Sequence, residues 1–180
     1  MRLRPIQLLI AALAVLGLVA FSACGQEHEL DVIEGEPLEL DGMSYNVQIT
    51  RFLNLNDVED SAYLEGQLEP PVGQQYLGTF LKVENDSEET QTVPFDIVLH
   101  DTRDNVYKPI DTDGNPFALP LGVDLEPGGR LPEADSTAAS GVIKGGMIVF
   151  LVDEIVSENR PLELEIPGPD GEVGKVRLDI

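Results

Sequence analysis

The residues with the widest chemical reach in this chain are acids. Asp111-Thr112-Asp113-Gly114-Asn115 opens in the manner of a calcium loop, where alternating side-chain oxygens wrap a hard cation. The pattern then breaks, because Pro116 replaces the sharp-turn glycine and Gly122 stands where a bidentate glutamate belongs. The candidate metal set is therefore Asp111 and Asp113, with Asp101 and Asp104 as nearby oxygen donors. The same Asp-Gly-Asn run is equally good turn chemistry. Zinc or copper would want clustered soft ligands, and the body of the chain offers His100, Met43 and Met147 alone. Acyl transfer needs a histidine beside a nucleophile. His28 lies in a polar stretch near the start, and His100 follows inward-facing Leu99, so its ring is expected to face outward. No serine stands in a Gly-x-Ser-x-Gly elbow, and with 33 acids accidental carboxylate pairs carry no information. Gly128-Gly129 and Gly145-Gly146 are isolated pairs suited to turns and bulges. These residues predict a protein that is not an enzyme and has no cofactor, calcium being the single candidate.

The remaining reactive residue is Cys24, the one cysteine of the 180-residue chain, so an intramolecular disulfide is impossible. Arg2 and Arg4 form a basic head, and from Leu8 to Phe21 every residue is apolar or glycine. As a helix that run spans roughly 21 Å, short of the roughly 30 Å of a bilayer core. It reads as an export signal. The boundary Phe21-Ser22-Ala23-Cys24 resembles the bacterial lipobox, with Phe21 where leucine is usual, which implies cleavage before a diacylglyceryl-bearing Cys24. Two or more acyl chains anchor stably where one does not. The expected division is a signal peptide over 1–23, an acidic lipidated tether over 24–36 and one folded domain over 37–180.

Removing residues 1–23 takes away two arginines and no acids, so a formal charge of −22 becomes −24. Such a field repels nucleic acid and anionic lipid surfaces, which excludes DNA and RNA as partners. The acids are scattered along the chain, as suits a solvated surface. The mature length fits one domain that folds without disulfides.

Strands must position these residues. Met43, Tyr45, Val47 and Ile49 alternate with polar neighbours, as do Leu77, Thr79, Leu81 and Val83, and then Val93, Phe95, Ile97 and Leu99. The polar turn Asn85–Glu89 predicts that the last two runs form a hairpin. Ile148–Val152 is nearly continuous in apolar residues and suits a strand buried on both faces. Leu162, Leu164 and Ile166, then Val176, Leu178 and Ile180, alternate near the end, with Arg177 expected across from Glu163 or Glu165. No segment has a convincing helical period, and Ala134–Gly141 reads as a loop. The pattern predicts an all-β fold, an immunoglobulin-like antiparallel β-sandwich of seven to nine strands. The stretch 54–73 is long for a structureless loop.

The runs Tyr76–Asn85, Val93-Pro94-Phe95-Asp96, Leu99-His100-Asp101 and Asn105-Val106-Tyr107 together resemble the telokin-like (DUF4352) immunoglobulin-like domain. In that family a strand ending in asparagine turns into a second strand, followed by an aspartate, a short turn and a tyrosine. Gly141–Phe150 with Val152 is similar to its glycine-then-valine-phenylalanine strand. The resemblance spans Met43 to Ile166 and implies a fold typical of secreted and lipid-anchored bacterial proteins, with no activity attached.

The function expected from all this is a non-enzymatic, lipid-anchored interaction or structural module of the bacterial envelope. It would be monomeric, held on the outer or periplasmic face of the cell membrane through Cys24, with an envelope protein as partner. The alternative is a cation- or small-solute-binding lipoprotein. Loops on a rigid sandwich are the usual binding surfaces, so the candidates are Tyr63, Leu64, Pro70 and Pro71 in the first long loop, and the 111–116 loop.

Overall fold

The computed structural model describes residues 30–168 and 171–180. Cys24 and the signal-like segment lie outside the described residues. Two main sheets face each other. In chain order the strands are β1 (Asp31–Ile33), β2 (Pro37–Leu40), β3 (Met43–Leu53), β4 (Gln74–Asn85), β5 (Gln91–Thr92), β6 (Val98–His100), β7 (Val106–Tyr107), β8 (Asp124–Leu125), β9 (Arg130–Leu131), β10 (Gly146–Asp153), β11 (Leu162–Pro167) and β12 (Val173–Leu178). The first sheet runs β1-β12-β11-β6-β7, the second β10-β4-β3-β2 with β9 also on β4, and β5 and β8 form a separate pair. The described residues form twelve strands, more than the expected seven to nine, because β5 and β9 are two-residue pairings too short to show a period and β1 falls in the stretch read as tether. All pairs are antiparallel except β1 with β12, which is parallel.

Apolar residues from the inner faces fill the space between the sheets, among them Leu77, Leu81 and Phe150 on one side and Leu99, Leu164 and Val176 on the other, all fully buried. Each is worth about 1.5–3 kcal/mol when removed from water. The outer face of the first sheet is charged. Arg177 pairs in register with Glu163, as expected, while Lys175 Nζ reaches Glu163 at 3.8 Å and Glu165 at 3.7 Å.

Residues 31–36, assigned to the tether by the sequence reading, are built into the fold. Glu34 N–H donates to Arg177 O at 2.8 Å and Gly35 N–H to Val47 O at 2.9 Å. The Glu34 carboxylate accepts from Thr50 N–H at 3.0 Å, next to a register break in β3.

That break is a β-bulge between Val47 and Ile49, which leaves Gln48 as the extra residue. One added residue reverses the phase of everything after it. Tyr45 and Val47 point into the core, but beyond the bulge Thr50 and Phe52 take that role, while Ile49, Arg51 and Leu53 turn outward. Ile49, expected inside, is consequently 38% exposed.

The expected hairpin does not form. β4 lies in the second sheet, whereas the run after it crosses over, so that β6 pairs with β11 and β7 in the first. Asn85 directs the crossing from a fully buried position. Its Nδ2 donates to Glu89 O at 2.8 Å and Leu125 O at 2.7 Å, and its Oδ1 accepts from Ser87 N–H at 3.0 Å and Ser87 Oγ–H at 2.7 Å. The hydrogen-bonding capacity of its side-chain amide is thus used internally.

Short helices appear where loops were expected: α1 (Asp60–Tyr63), α2 (Thr137–Ser140) and the 3-10 turn Glu154–Glu158. In α2, Ser136 Oγ caps the helix by accepting from Ala139 N–H at 3.2 Å.

Candidate interaction surface

β4 and β10 are buried on both faces. Leu77 and Leu81 look inward, while Tyr76 and Phe80 look outward, and on β10 Met147 and Val149 face outward with them. An outward-facing apolar surface has to be covered. The 54–73 loop and the 109–118 segment provide the cover as a third layer over the second sheet.

The phase reversal in β3 positions the loop. It aims Arg51 outward, where Nη2 meets Asp60 Oδ1 at 2.6 Å, and Asp60 Oδ2 accepts from Asn54 N–H at 3.0 Å. Asp60 is 3% exposed, so this is a buried acid with a half-exposed cation. Asp57 Oδ1 accepts from Glu59 N–H at 2.8 Å and Asp60 N–H at 3.3 Å, starting α1. Tyr63 then packs edge-on against Phe80 and Phe117, with ring centroids 4.9 and 4.8 Å away. Such pairs add about 0.5–1.5 kcal/mol each beyond their burial.

The two long loops offered as separate binding surfaces are bonded to each other. Asn115 Nδ2 donates to Ala62 O at 3.1 Å and Tyr63 O at 3.0 Å, its Oδ1 accepts from Phe117 N–H at 2.9 Å, and Gln67 Nε2 donates to Asp111 O at 2.7 Å.

Of the four residues expected to present the loop surface, Tyr63 and Leu64 are corrected. They are buried in the second core cluster, because the outer face of β4 needs them. Pro70 is half-buried and Pro71 exposed. What the loop offers to solvent is Val58, Leu68 and Val72, at 89%, 81% and 106% exposure. Between the loop and the strand ends lies a cleft of about 340 Å³, lined by Phe52, Leu55, Glu69, Pro70, Gln75 and Tyr76. Tyr76 Oη donates to Leu68 O at 2.8 Å, and burial, then the Glu69 charge, raises its phenol above its ordinary pKa.

The acids proposed for calcium do not assemble a cage. Among the described residues no three His, Cys, Asp or Glu side chains gather to hold a metal. Asp111 and Asp113 lie exposed on the docked loop, with Asp111 Oδ1 accepting from Asp113 N–H at 2.9 Å. Asp104 is an exposed turn residue at φ 61°. Asp101 is buried, and both its oxygens already accept hydrogen bonds. Oδ1 takes the backbone N–H groups of Arg103 at 2.9 Å and Asn105 at 3.0 Å, and Oδ2 takes the side-chain amides of Asn105 at 2.9 Å and Asn159 at 3.0 Å. Burial alone would raise its pKa, but these donors outweigh burial and hold it below the usual carboxylate value. The Tyr107 hydroxyl is buried without a hydrogen-bond partner among the described residues. Burial, then the charges of Asp101 and Asp153, pushes it up to about 12. These carboxylates act on it as nearby charges, without a hydrogen bond to the hydroxyl. His100 faces outward as expected, on the first sheet, with Nε2 3.4 Å from Glu165 Oε2.

Arg51, Asp60 and Asn115, which fix this surface, were not singled out from sequence. The available signal was Ile148–Val152, since a strand buried on both sides requires a covering layer.

With this geometry established, the chain can be set beside known proteins. No family model matches it, and no curated protein matches it in sequence. Solved structures do share its fold. The yjhA protein of Bacillus subtilis is 12% identical at a TM-score of 0.52, over 82% of this chain and 99% of that one. A conserved hypothetical protein of Bacillus anthracis is 12% identical at 0.51, over 81% and 95%. The Bacillus subtilis ycdA protein, described as a putative lipoprotein, is 13% identical at 0.52, over 81% of this chain and 38% of that one. At such identities the likeness is one of fold, and the chain is an all-β sandwich. Among the described residues no helix is long and apolar enough to cross a membrane.

Proposed function

We propose that this chain is a lipid-anchored, non-enzymatic interaction module of the bacterial envelope, a telokin-like sandwich that recognises a protein partner with its 54–73 loop. The observation that carries the reading is the exposure of Val58, Leu68 and Val72 on a loop pinned from beneath by Asp60 and Asn115. Apolar side chains held at the surface by a rigid base lose little entropy on binding. The lipobox-like residues around Cys24 supply the anchor, and the fold shared with ycdA is consistent with it.

One experiment in intact cells tests both parts. Wild type, Cys24→Ser and a Val58→Ser/Leu68→Ser/Val72→Ser variant are fractionated and crosslinked with a short-armed reagent. The expected outcome is wild type in the membrane fraction with a crosslinked partner and a lipid on Cys24 by mass spectrometry, the Cys24 variant without lipid and with residues 1–23 retained, and the triple variant anchored without its partner. An identical crosslink pattern from the folded triple variant would remove the loop from the interface. A wild-type Cys24 that mass spectrometry finds without a diacylglyceryl group would remove the anchor.

A further inference from the structure

In a chain where acids outnumber bases 33 to 11, one small pocket reverses the balance. It has a volume of about 190 Å³ and is bounded by Lys82, Arg130 and Lys144, with Glu84 as its one acid and Leu131, Pro132, Ala134 and Ala139 as the remaining wall. The fold builds it at a seam. β10 covers β4 as far as Leu81, and β9 takes over from Val83, so Lys82 falls opposite the gap between them. β9 brings Arg130 opposite Glu84. The excursion from β9 to β10, through the Ser136-capped α2, returns with Lys144 immediately before Gly145-Gly146. A Cβ on Gly145 would lie 3.0 Å from Leu81 N and 3.1 Å from Phe80 C, so a larger residue here would press on the backbone of β4.

None of the three cations is spent elsewhere. Among the described residues the ion pairs use Arg51, His100 and Lys175, and no hydrogen bond engages the side chains of Lys82, Arg130 or Lys144. Three uncommitted cations facing one carboxylate repel one another, an arrangement that a bound anion relieves. A pocket of about 190 Å³ suits a compact anion. An arginine fork flanked by two point-charge lysines matches a phosphoryl group, which carries about −1.5 to −2 charges as a monoester at pH 7.

We infer that Lys82, Arg130 and Lys144 form a binding site for a phosphate-monoester group. The proposal stands apart from the loop interface and does not depend on it. Two sources share this chemistry, a soluble phosphate compound and a lipid phosphate. The net negative field of the body acts against anionic surfaces, so the soluble source is favoured.

The test uses the folded, unlipidated chain at constant ionic strength. Inorganic phosphate is titrated and followed by amide chemical shifts, with chloride and acetate as controls. Phosphatidylcholine vesicles carrying phosphatidic acid form a second arm, read by co-sedimentation. Saturable phosphate or phosphatidic acid binding, with shifts centred on Lys82, Arg130 and Lys144, is expected. Affinity should fall at least tenfold in Arg130→Gln and in Lys144→Gln. Both side chains are exposed, so circular dichroism should confirm that these variants fold as the parent does. Absence of saturation in both arms, equal response to acetate, or unchanged affinity in both variants overturns the site.

Discussion

Asp60 and Asp101 are both buried carboxylates at the start of a turn, and they are neutralised in opposite ways. Asp60 meets a guanidinium, whose side chain is 36% exposed. Asp101 meets no cation and is held by four N–H donors from Arg103, Asn105 and Asn159. A cation with one side in water can rehydrate when its partner leaves, whereas the Asn159 amide, buried with its acceptor, has nowhere to turn. The first arrangement suits a loop that is laid onto the sheet. The second suits a joint that must not open, since it ties the β6–β7 turn to Asn159, ahead of β11.

The strongest way to break this contrast is Asp101→Ala. The buried Asn159 amide loses its acceptor and three part-buried donors lose theirs with it, so the expected cost is about 3 kcal/mol, the top of the range of about 1–3 kcal/mol for one buried unsatisfied group. At roughly 2–4 °C per kcal/mol for a chain of this size, the melting temperature should drop by roughly 6–12 °C in a thermal scan. A drop under a degree would show that the joint is not held by this carboxylate. Asp60→Ala should cost less, about 1–2 kcal/mol, because Arg51 can return to water. Its signature is local: amide exchange should quicken across 54–64 and stay unchanged in β11 and β12. Uniform quickening would mean that the loop is part of the global fold and not a layer added to it.

The smallest effect sharpens the distinction through pH. The folded pKa of Asp101 is depressed, so its contribution is fully present above the unfolded value of about 3.9 and lost as pH falls through the lower folded value. Asp101→Asn lacks this titration. The stability gap between wild type and that variant should therefore narrow only below about pH 4, as read from urea midpoints. A gap that is flat down to pH 2 would contradict the depressed pKa.

Strand positions were legible because a half-buried strand writes its burial into alternate residues. Met43–Val47, Leu77–Val83 and Leu162–Ile166 all do so. Phase and partnership were not. Nothing about Gln48 distinguishes it from its neighbours, yet it decides that Arg51 and not Thr50 faces the loop. Asn85–Glu89 has good turn composition, but hairpin and crossover share that composition, and the choice rests on Leu125, forty residues away. Tyr63-Leu64 in an acidic loop looks like a surface patch when read locally. Its burial follows from Phe80, Met147 and Val149, which only the assembled sheet brings beneath it. The basic pocket was invisible for the same reason, since Lys82, Arg130 and Lys144 are spread over three distant segments.

The parallel strand at the beginning of the body has one more consequence. Because Asp31 pairs with Lys175, and Leu30 O accepts from Lys175 N–H at 2.6 Å, the chain is already fastened to the sandwich at residue 30. Under the lipid-anchor reading, six peptide units then separate the bilayer from the sandwich, a standoff of at most roughly 20 Å however the leash is drawn out. Under that reading the tether limits how far the body can stand from the bilayer, not how far it can travel along it. A partner of the kind proposed for the 54–73 loop would then be met within that distance of the membrane surface.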